Sequence, residues 1–271
     1  METKSYGASA TSHAGNSNAS RAEEFRIQGY TVFDNLLDSQ KLDYSRSSLD
    51  KIYVQQESEF GKDNLRAINE LDLARCPFVY DEFFLQELIL HETIVSFIRQ
   101  HLGDFFQLHL QNGVMNKPMT GHHQSAWHRD LPYQNYVISK PIAISVLFCL
   151  DEFSSETGGT YLLPFSHQLE NIPSQEYLEK YQKQITAPAG SAIAFNAMLF
   201  HRAGYNSSQI IRRGVNNVYS VPIIKQQIDL PGYLKGKYAD DPFLGTLMGY
   251  KSQVPSSVLD FRSDRLKRIK K

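Results

Sequence analysis

The sequence predicts a mainly β protein with flanking helices, built as an antiparallel sandwich or barrel, and three observations carry that reading. After Gly103 the chain breaks into short runs rich in Val, Ile, Leu, Phe and Tyr, namely FFQLHLQNGVMNK, PIAISVLFCL, GTYLLPFS, SAIAFNAMLF and GVNNVYSVPI, set apart by Gly, Pro, Asn and Ser. No repeating helical crossover lies between them, which disfavours a doubly wound parallel sheet. Before Gly103 the apolar residues recur with a helical period instead, so helices pack outside the barrel.

Each segment follows in order. Residues 1–20 are mostly Ser, Ala, Asn and Gly with almost no large apolar side chain, so too little surface is available to offset ordering entropy and disorder is expected. From Arg21, RAEEFRIQGY has a period near 3.6, and Asp38-Ser39 offers the cap of a second helix. The block DEFFLQELILHETIVSFIRQHLG is apolar on one face and closes on Gly103 as a C-cap. Residues 21–103 are thus expected to be helical, 104–223 to form the barrel and 224–271 a helical extension, all one domain. Within the extension, DDPFLGTLMGY reads as a helix with Pro242 in its first turn. The basic FRSDRLKRIKK reads as a solvated tail or short terminal helix rather than a phosphate site.

Composition narrows the function. A chain of 271 residues with 41% hydrophobic content has enough apolar surface for a sizeable core. A net charge of -1 argues against a nucleic-acid or membrane binder, since both need a basic surface. No uncharged apolar run is long enough to span a bilayer and the N-terminal residues lack the apolar stretch of a secretory signal, so a cytoplasmic location is expected. Cys76 and Cys149 stand alone in apolar surroundings and read as core thiols.

The segment SAWHRDLPYQ carries the chemistry. On a strand, residues two apart share a face, so His128 and Asp130 converge while Trp127 and Arg129 turn away. Taken alone the pair is equally a polar turn. His201 ends a hydrophobic strand, and Arg212 stands on the next one, reached through AGYNSS. Two histidines and a carboxylate on one face of a ferrous ion leave positions open for a co-substrate and O2. A planar guanidinium suits the far carboxylate of a diacid such as 2-oxoglutarate. Gln111, Asn112 and Asn116, before the motif, and Tyr133 and Gln134, after it, are candidates for the substrate mouth, though ordinary sheet or turn roles account for them as well. His122 and His123, in a Gly- and Ser-bearing loop, read as exposed or lid residues; His109 and His167 read as a strand and a turn position. Arg213 faces away from Arg212 and reads as a structural ion pair.

The order NKP, WHRDL, ETGGTYLLPFSH, His201 and Arg212 resembles the phytanoyl-CoA dioxygenase family of iron(II)- and 2-oxoglutarate-dependent oxygenases, from about Phe25 to Tyr219. The resemblance implies a double-stranded β-helix, also called a jelly roll or cupin-like barrel. It implies His128, Asp130 and His201 as iron ligands, Arg212 as the partner of the distal carboxylate of 2-oxoglutarate, and Lys117 as a second cationic contact to it. It also implies hydroxylation of an aliphatic carbon of a small metabolite or natural-product intermediate, with release of succinate and carbon dioxide and with ascorbate as the in vitro reductant. Asp130 separates the chain from halogenases, which lack that carboxylate. One departure is Ala203, where many relatives carry a hydroxyl two residues after the distal histidine. Rival readings are a silent cupin-like binding protein, an acyl-CoA hydroxylase of the same family and a zinc hydrolase. The substrate and the oligomeric state are left open by the sequence.

Overall fold

The structure is a computed structural model, and it describes residues 12–131 and 137–269. In chain order it contains α1 (Ser17–Gln28), β1 (Tyr30–Phe33), α2 (Ser39–Phe60), α3 (Lys62–Ala67), β2 (Leu73–Arg75), α4 (Pro77–Tyr80) and α5 (Glu92–Leu102). The central part holds β3 (Gln107–Asn116), β4 (Ala143–Cys149), β5 (Tyr161–Leu162), α6 (Gln175–Tyr181), β6 (Lys183–Gln184), β7 (Ala192–Asn196), β8 (His201–Arg202) and β9 (Arg212–Ser220). It ends in α7 (Leu230–Leu234), α8 (Leu244–Leu247) and α9 (Val258–Ile269).

The strands form two antiparallel sheets, a jelly roll of the expected class. The larger has the order β1-β7-β4-β9-β3-β2 and the smaller β6-β5-β8. An isolated bridge between His128 and His201 adds the segment around His128 to the edge of the smaller sheet. The large sheet is covered on both faces. Leu108, Met115, Ile144, Val146, Phe148, Val215 and Tyr219 pack outward against the helical residues Leu49, Phe84, Leu88, Ile94 and Ile98, while Leu147, Cys149, Ile193 and Phe195 pack inward. Every residue of β3 and β4 is therefore buried, which is why PIAISVLFCL reads as a continuous apolar run and not as an alternating one.

Local chemistry explains the element boundaries. The Asp38 carboxylate accepts from Lys41 N (2.8 Å) to cap α2, and Gly103 ends α5 at φ +84. Cys76 and Cys149 are buried free thiols, pushed up to about 11 and about 12 by desolvation. Among the described residues no helix is long and apolar enough to cross a membrane.

Four expectations need correction. Helix α1 begins at Ser17, inside the segment expected to be disordered, because the Asn16 side chain accepts from Ala19 N (3.0 Å) and supplies a cap that composition alone does not reveal. The first hundred residues are mainly helical, but the part expected to stand outside the barrel also contributes to it: β1 and β2 pair with β7 and β3 and form the two edges of the large sheet. Runs of four and three residues are too short to display a period. The third block is two helices, a π-helical segment Phe84–Ile89 and then α5, with the Ile89 carbonyl accepting from the Tyr219 hydroxyl (2.9 Å) at the break. Pro242 precedes α8, whose first N–H groups are received by the Asp241 carboxylate.

Candidate metal centre

The site is assembled from β8, β9 and an extended segment bridged to β8 at His128. Asp130 N donates to the Ala197 carbonyl (3.0 Å), and His128 exchanges backbone hydrogen bonds with His201, so the 128–130 segment lies along β8 and the turn before it. Side chains then sort by parity. Trp127 packs outward against Leu163, Leu178 and Phe200. Arg129 also turns outward and is buried, with Nε donating to the Met198 carbonyl (2.8 Å) and its remaining N–H groups to the carbonyls of Glu170, Ser166 and Leu169. That fork fixes the motif to the loop after β5. His128 and Asp130 are left facing inward.

Each of the three donors has one atom spent on orientation and one left over. Nδ1–H of His128 donates to the Ala126 carbonyl (2.8 Å), and Nδ1–H of His201 to the Leu199 carbonyl (2.9 Å). Both Nε2 lone pairs are thereby freed for a ligand role. Oδ2 of Asp130 accepts from the Ser145 hydroxyl and from Asn216 Nδ2 (3.1 Å), which leaves Oδ1 toward His201 Nε2 at 3.4 Å. The donor atoms of the three residues lie within 4.8 Å of one another, and His128 Nε2 is buried with no partner. Two imidazoles and one carboxylate converging on one side is the donor set that suits a ferrous ion with open positions.

The electrostatics agree. Burial and the neighbouring His201 push His128 down to about 4, so it is a neutral ligand at physiological pH. Burial works to raise the Asp130 carboxyl, but His201, His128 and the Ser145 bond outweigh it and hold Asp130 well below the usual carboxylate range. His201 feels the same burial, yet Asp130 raises it above its ordinary value.

Arg212 shares a cavity of about 50 Å³ with all three residues, together with Asn112, Val114 and Thr160. It is 1% exposed, its Cζ lies 4.0 Å from the centroid of the Phe153 ring, and its Nε has no hydrogen-bond partner among the described residues. Desolvation brings it down to about 10, which still leaves it charged at neutral pH. A buried guanidinium without a counter-charge is costly, so the cavity is suited to an anion.

Other expected site residues stand elsewhere. Lys117 is committed to the Tyr53 hydroxyl (2.9 Å), the Leu71 carbonyl (2.9 Å) and Asp72 (3.4 Å) and does not line the cavity, because a lysine with three local acceptors has no reason to turn inward. Gln111 lies on the outward face of β3, where its side chain meets Phe78 N, the Phe84 carbonyl and Asn217 Oδ1. Asn116 binds the Gly204 carbonyl (2.9 Å), an internal tie between loops. Tyr133 and Gln134 lie outside the described residues. Arg213 pairs with Asp50 and Asp151.

His122 is buried and not exposed, with Nδ1 accepting from Gln124 N (3.1 Å) and with desolvation bringing it down to about 3. His122, His123 and Asp72 form a second group of close donors. There Lys117 already neutralises Asp72, and Nδ1 of His122 is already occupied.

Several residues were not singled out from sequence. Ser145 and Asn216, which hold Asp130, were discoverable: Asn216 is four after Arg212 and thus shares its face, and Ser145 is a lone hydroxyl in an apolar strand. Thr160 and Gln124 come from loops, where no period announces a direction.

A jelly roll with two histidines, an aspartate and an arginine that has no ion-pair partner among the described residues, all facing one cavity, has the donor set of a candidate metal centre. The comparisons give the family. Residues 25–214 match the family described as Phytanoyl-CoA dioxygenase (PhyH), and the chain belongs to it. Among relatives, an uncharacterized protein of Mycobacterium tuberculosis, Rv1501, is 32% identical over 207 residues, 74% of each chain. The dioxygenase olcK of Penicillium canescens is 30% identical over 135 residues, 47% of this chain and 42% of that one. Among solved structures, EctD from S. alaskensis with 2-oxoglutarate and 5-hydroxyectoine superposes with a TM-score of 0.64 at 17% identity, over 77% of this chain and 78% of that one. The epimerase SnoN in complex with Fe3+, alpha ketoglutarate and nogalamycin RO does so with a TM-score of 0.57 at 17% identity, over 76% and 84%. At such identities the likeness is one of fold.

Proposed function

We propose that the chain is an Fe(II)- and 2-oxoglutarate-dependent dioxygenase that hydroxylates an aliphatic carbon of a small metabolite or natural-product intermediate, releasing succinate and carbon dioxide. The observation that carries the reading is the buried Arg212, without an ion-pair partner among the described residues, in one cavity with three convergent metal donors. A metal-water hydrolase has no use for such a charge; a chelating diacid does.

The residues present fit the group: His128 Nε2, Asp130 Oδ1 and His201 Nε2 hold the iron, and Arg212 takes the distal carboxylate through charge-assisted hydrogen bonds. Bound there, iron and the 2-oxo acid supply O2-dependent oxidation of a C–H bond coupled to loss of carbon dioxide. The protein's share is positioning. The two Nδ1–H bonds fix the ring planes, Ser145 and Asn216 fix the carboxylate, and Arg129 holds the strand that bears two of the ligands. Asp130 fills the place a halide would need, which favours hydroxylation over halogenation.

EctD and SnoN, a protein with 5-hydroxyectoine bound and an epimerase on one fold, make the outcome of oxidation a question for experiment. A metabolite screen for succinate release with iron(II), ascorbate and 2-oxoglutarate identifies the substrate, and 18O2 incorporation into product identifies hydroxylation. Asp130→Ala is expected to abolish substrate-dependent succinate; unchanged turnover in that variant overturns the assignment.

A further inference from the structure

We infer that the body of the substrate, an uncharged and mainly hydrocarbon scaffold, lies in a second cavity beside the edge strand β2, and that Arg75 is the gate between it and the metal cavity; this deepens the reading just given and rests on it. The metal cavity, at about 50 Å³, has room for no more than a few water molecules, and the metal and the diacid must share it. Pockets that hold small organic molecules measure roughly 300–1,000 Å³. A cavity of about 370 Å³, lined by residues from α2, α3, α4 and α7, lies within that range. The sheet register brings the two together. Strand β2 pairs with β3 through Leu73↔Val114 and Arg75↔Asn112, and directly opposed residues share a face. Asn112 and Val114 line the metal cavity, whereas Leu73 and Arg75 line the larger one. Ala74, between them, belongs to the core under the helices. Both cavities therefore adjoin the inner face of the same two strands, and the bond from Arg75 Nη1 to Asn112 Oδ1 (3.1 Å) spans their boundary.

Arg75 is fixed at its backbone and free to swing at its tip. Its N–H donates to Gln56 Oε1 (2.8 Å), and its carbonyl accepts from Gln56 Nε2 (2.6 Å). The guanidinium donates to the Glu70 carboxylate, with Nε to Oε2 at 3.1 Å, and to Gln227 Oε1 (3.3 Å), so Asn112 is its one tie toward the metal cavity. Arg75 and Glu70 are both partly exposed, and exchanging the Asn112 contact for water costs little. The lining defines the occupant. Leu65, Ile68, Leu73, Val79, Ile228 and Leu230 supply apolar walls, and Phe60 and Tyr233 stand half-exposed beside them. Glu59 and Glu70 bring negative charge, the Tyr80 hydroxyl is already committed to Glu59 (3.1 Å), and Arg75 is already paired with Glu70. Among the described residues that line the cavity there is thus no free cation. Such a surface repels the phosphates of a CoA ester and suits a neutral hydrocarbon.

The test uses diphenylhexatriene, an uncharged hydrocarbon that fluoresces only out of water, with the full chain carrying 2-oxoglutarate and either Co(II) or Zn(II). Saturable binding is expected. Val79→Trp and Ile228→Trp fill the cavity from two walls at half-buried positions, and each is expected to weaken binding roughly tenfold or more with little change in Tm. Co(II), which absorbs visible light, is expected to quench the bound probe, and Zn(II), which does not, to leave it bright; Arg75→Ala is expected to deepen the quenching. Decanol is expected to displace the probe, and decanoyl-CoA at the same concentration is not. Wild-type affinity in both Trp variants, or equal emission with Co(II) and Zn(II), overturns the placement of the substrate. Displacement by decanoyl-CoA as readily as by decanol overturns the uncharged class, and quenching unchanged in Arg75→Ala overturns the gate. Release of the probe as dimers form at raised protein concentration would give the cavity to a second copy of the chain and overturn the placement as well. Failure of the wild type to bind Co(II) at all overturns instead the metal-centre reading on which the inference stands.

Discussion

Arg212→Met is expected to make the ligand-free protein more stable while it removes co-substrate binding. The guanidinium is 1% exposed, and among the described residues no carboxylate forms an ion pair with it. Burial brings it from 12.5 down to about 10, which corresponds to an order-of-magnitude penalty for keeping it charged in the fold. At about 1.4 kcal/mol per tenfold, that is about 3 kcal/mol, and full burial means that solvent screening does not discount it. The sign is fixed: a base whose folded value lies below its unfolded value destabilises the fold at every pH below about 10 and is relieved only above that. An assay at pH 7.5 therefore contains the whole penalty. Methionine fills most of the volume without the charge, so a gain of about 1–3 kcal/mol is expected after imperfect packing. For a domain of this size that is a rise of very roughly 3–8 °C in Tm. Thermal unfolding of both proteins, each with and without millimolar 2-oxoglutarate, reads the two effects together. Wild type is expected to gain stability from the ligand by mass action and Arg212→Met to gain none. A variant that melts lower than wild type without ligand would mean that the charge is compensated within the fold, and the case for a waiting anion seat would fail.

Two further outcomes follow from the ligand environment. Loading the metal-free protein with Fe(II) or Co(II) is expected to release protons from His201 increasingly as the pH is lowered, because Asp130 outweighs burial and raises His201, while His128, pushed down to about 4, is already neutral at neutral pH. The affinity should rise with pH until it passes the folded value of His201 and then level; calorimetry in buffers of different ionisation enthalpy checks the count, and zero protons contradicts the His201–Asp130 pairing. Ser145→Ala removes one of the two groups that orient Asp130 Oδ2 and is expected to weaken Co(II) binding roughly 10–100-fold with little change in Tm. Equal affinity in that variant would show that Asn216 suffices.

The centre was legible because its members sit on strands, where period two turns sequence distance into direction. His128 and Asp130 share a face, Arg213 faces away from Arg212 into Asp50 and Asp151, and Trp127 packs outside, all as parity requires. Gln111 was a candidate for the substrate mouth only through its nearness to the motif, and parity assigns it its sheet role: its neighbours Asn112 and Val114 look inward, so it looks toward the helices. Lys117 was misplaced for another reason. A resemblance in NKP specifies a position in the chain, not the acceptors around it, and Tyr53 and Leu71 come from distant elements. Thr160 escaped notice because it stands in a loop beside Gly158 and Gly159, whose close backbone contacts leave no side-chain pattern to read.

The two short edge strands have a consequence for anyone wishing to shorten this protein. Tyr30–Phe33 shields β7 and Leu73–Arg75 shields β3, so the helical preface and the barrel are sewn together at both margins. Cutting at Gly103 to isolate the barrel would strip both covers at once and leave two naked ladders of amide and carbonyl groups, each a template for fibrils or insoluble oligomers. The catalytic half of the chain is not a portable module, and chimeras meant to exchange its pocket should carry the opening hundred residues with them.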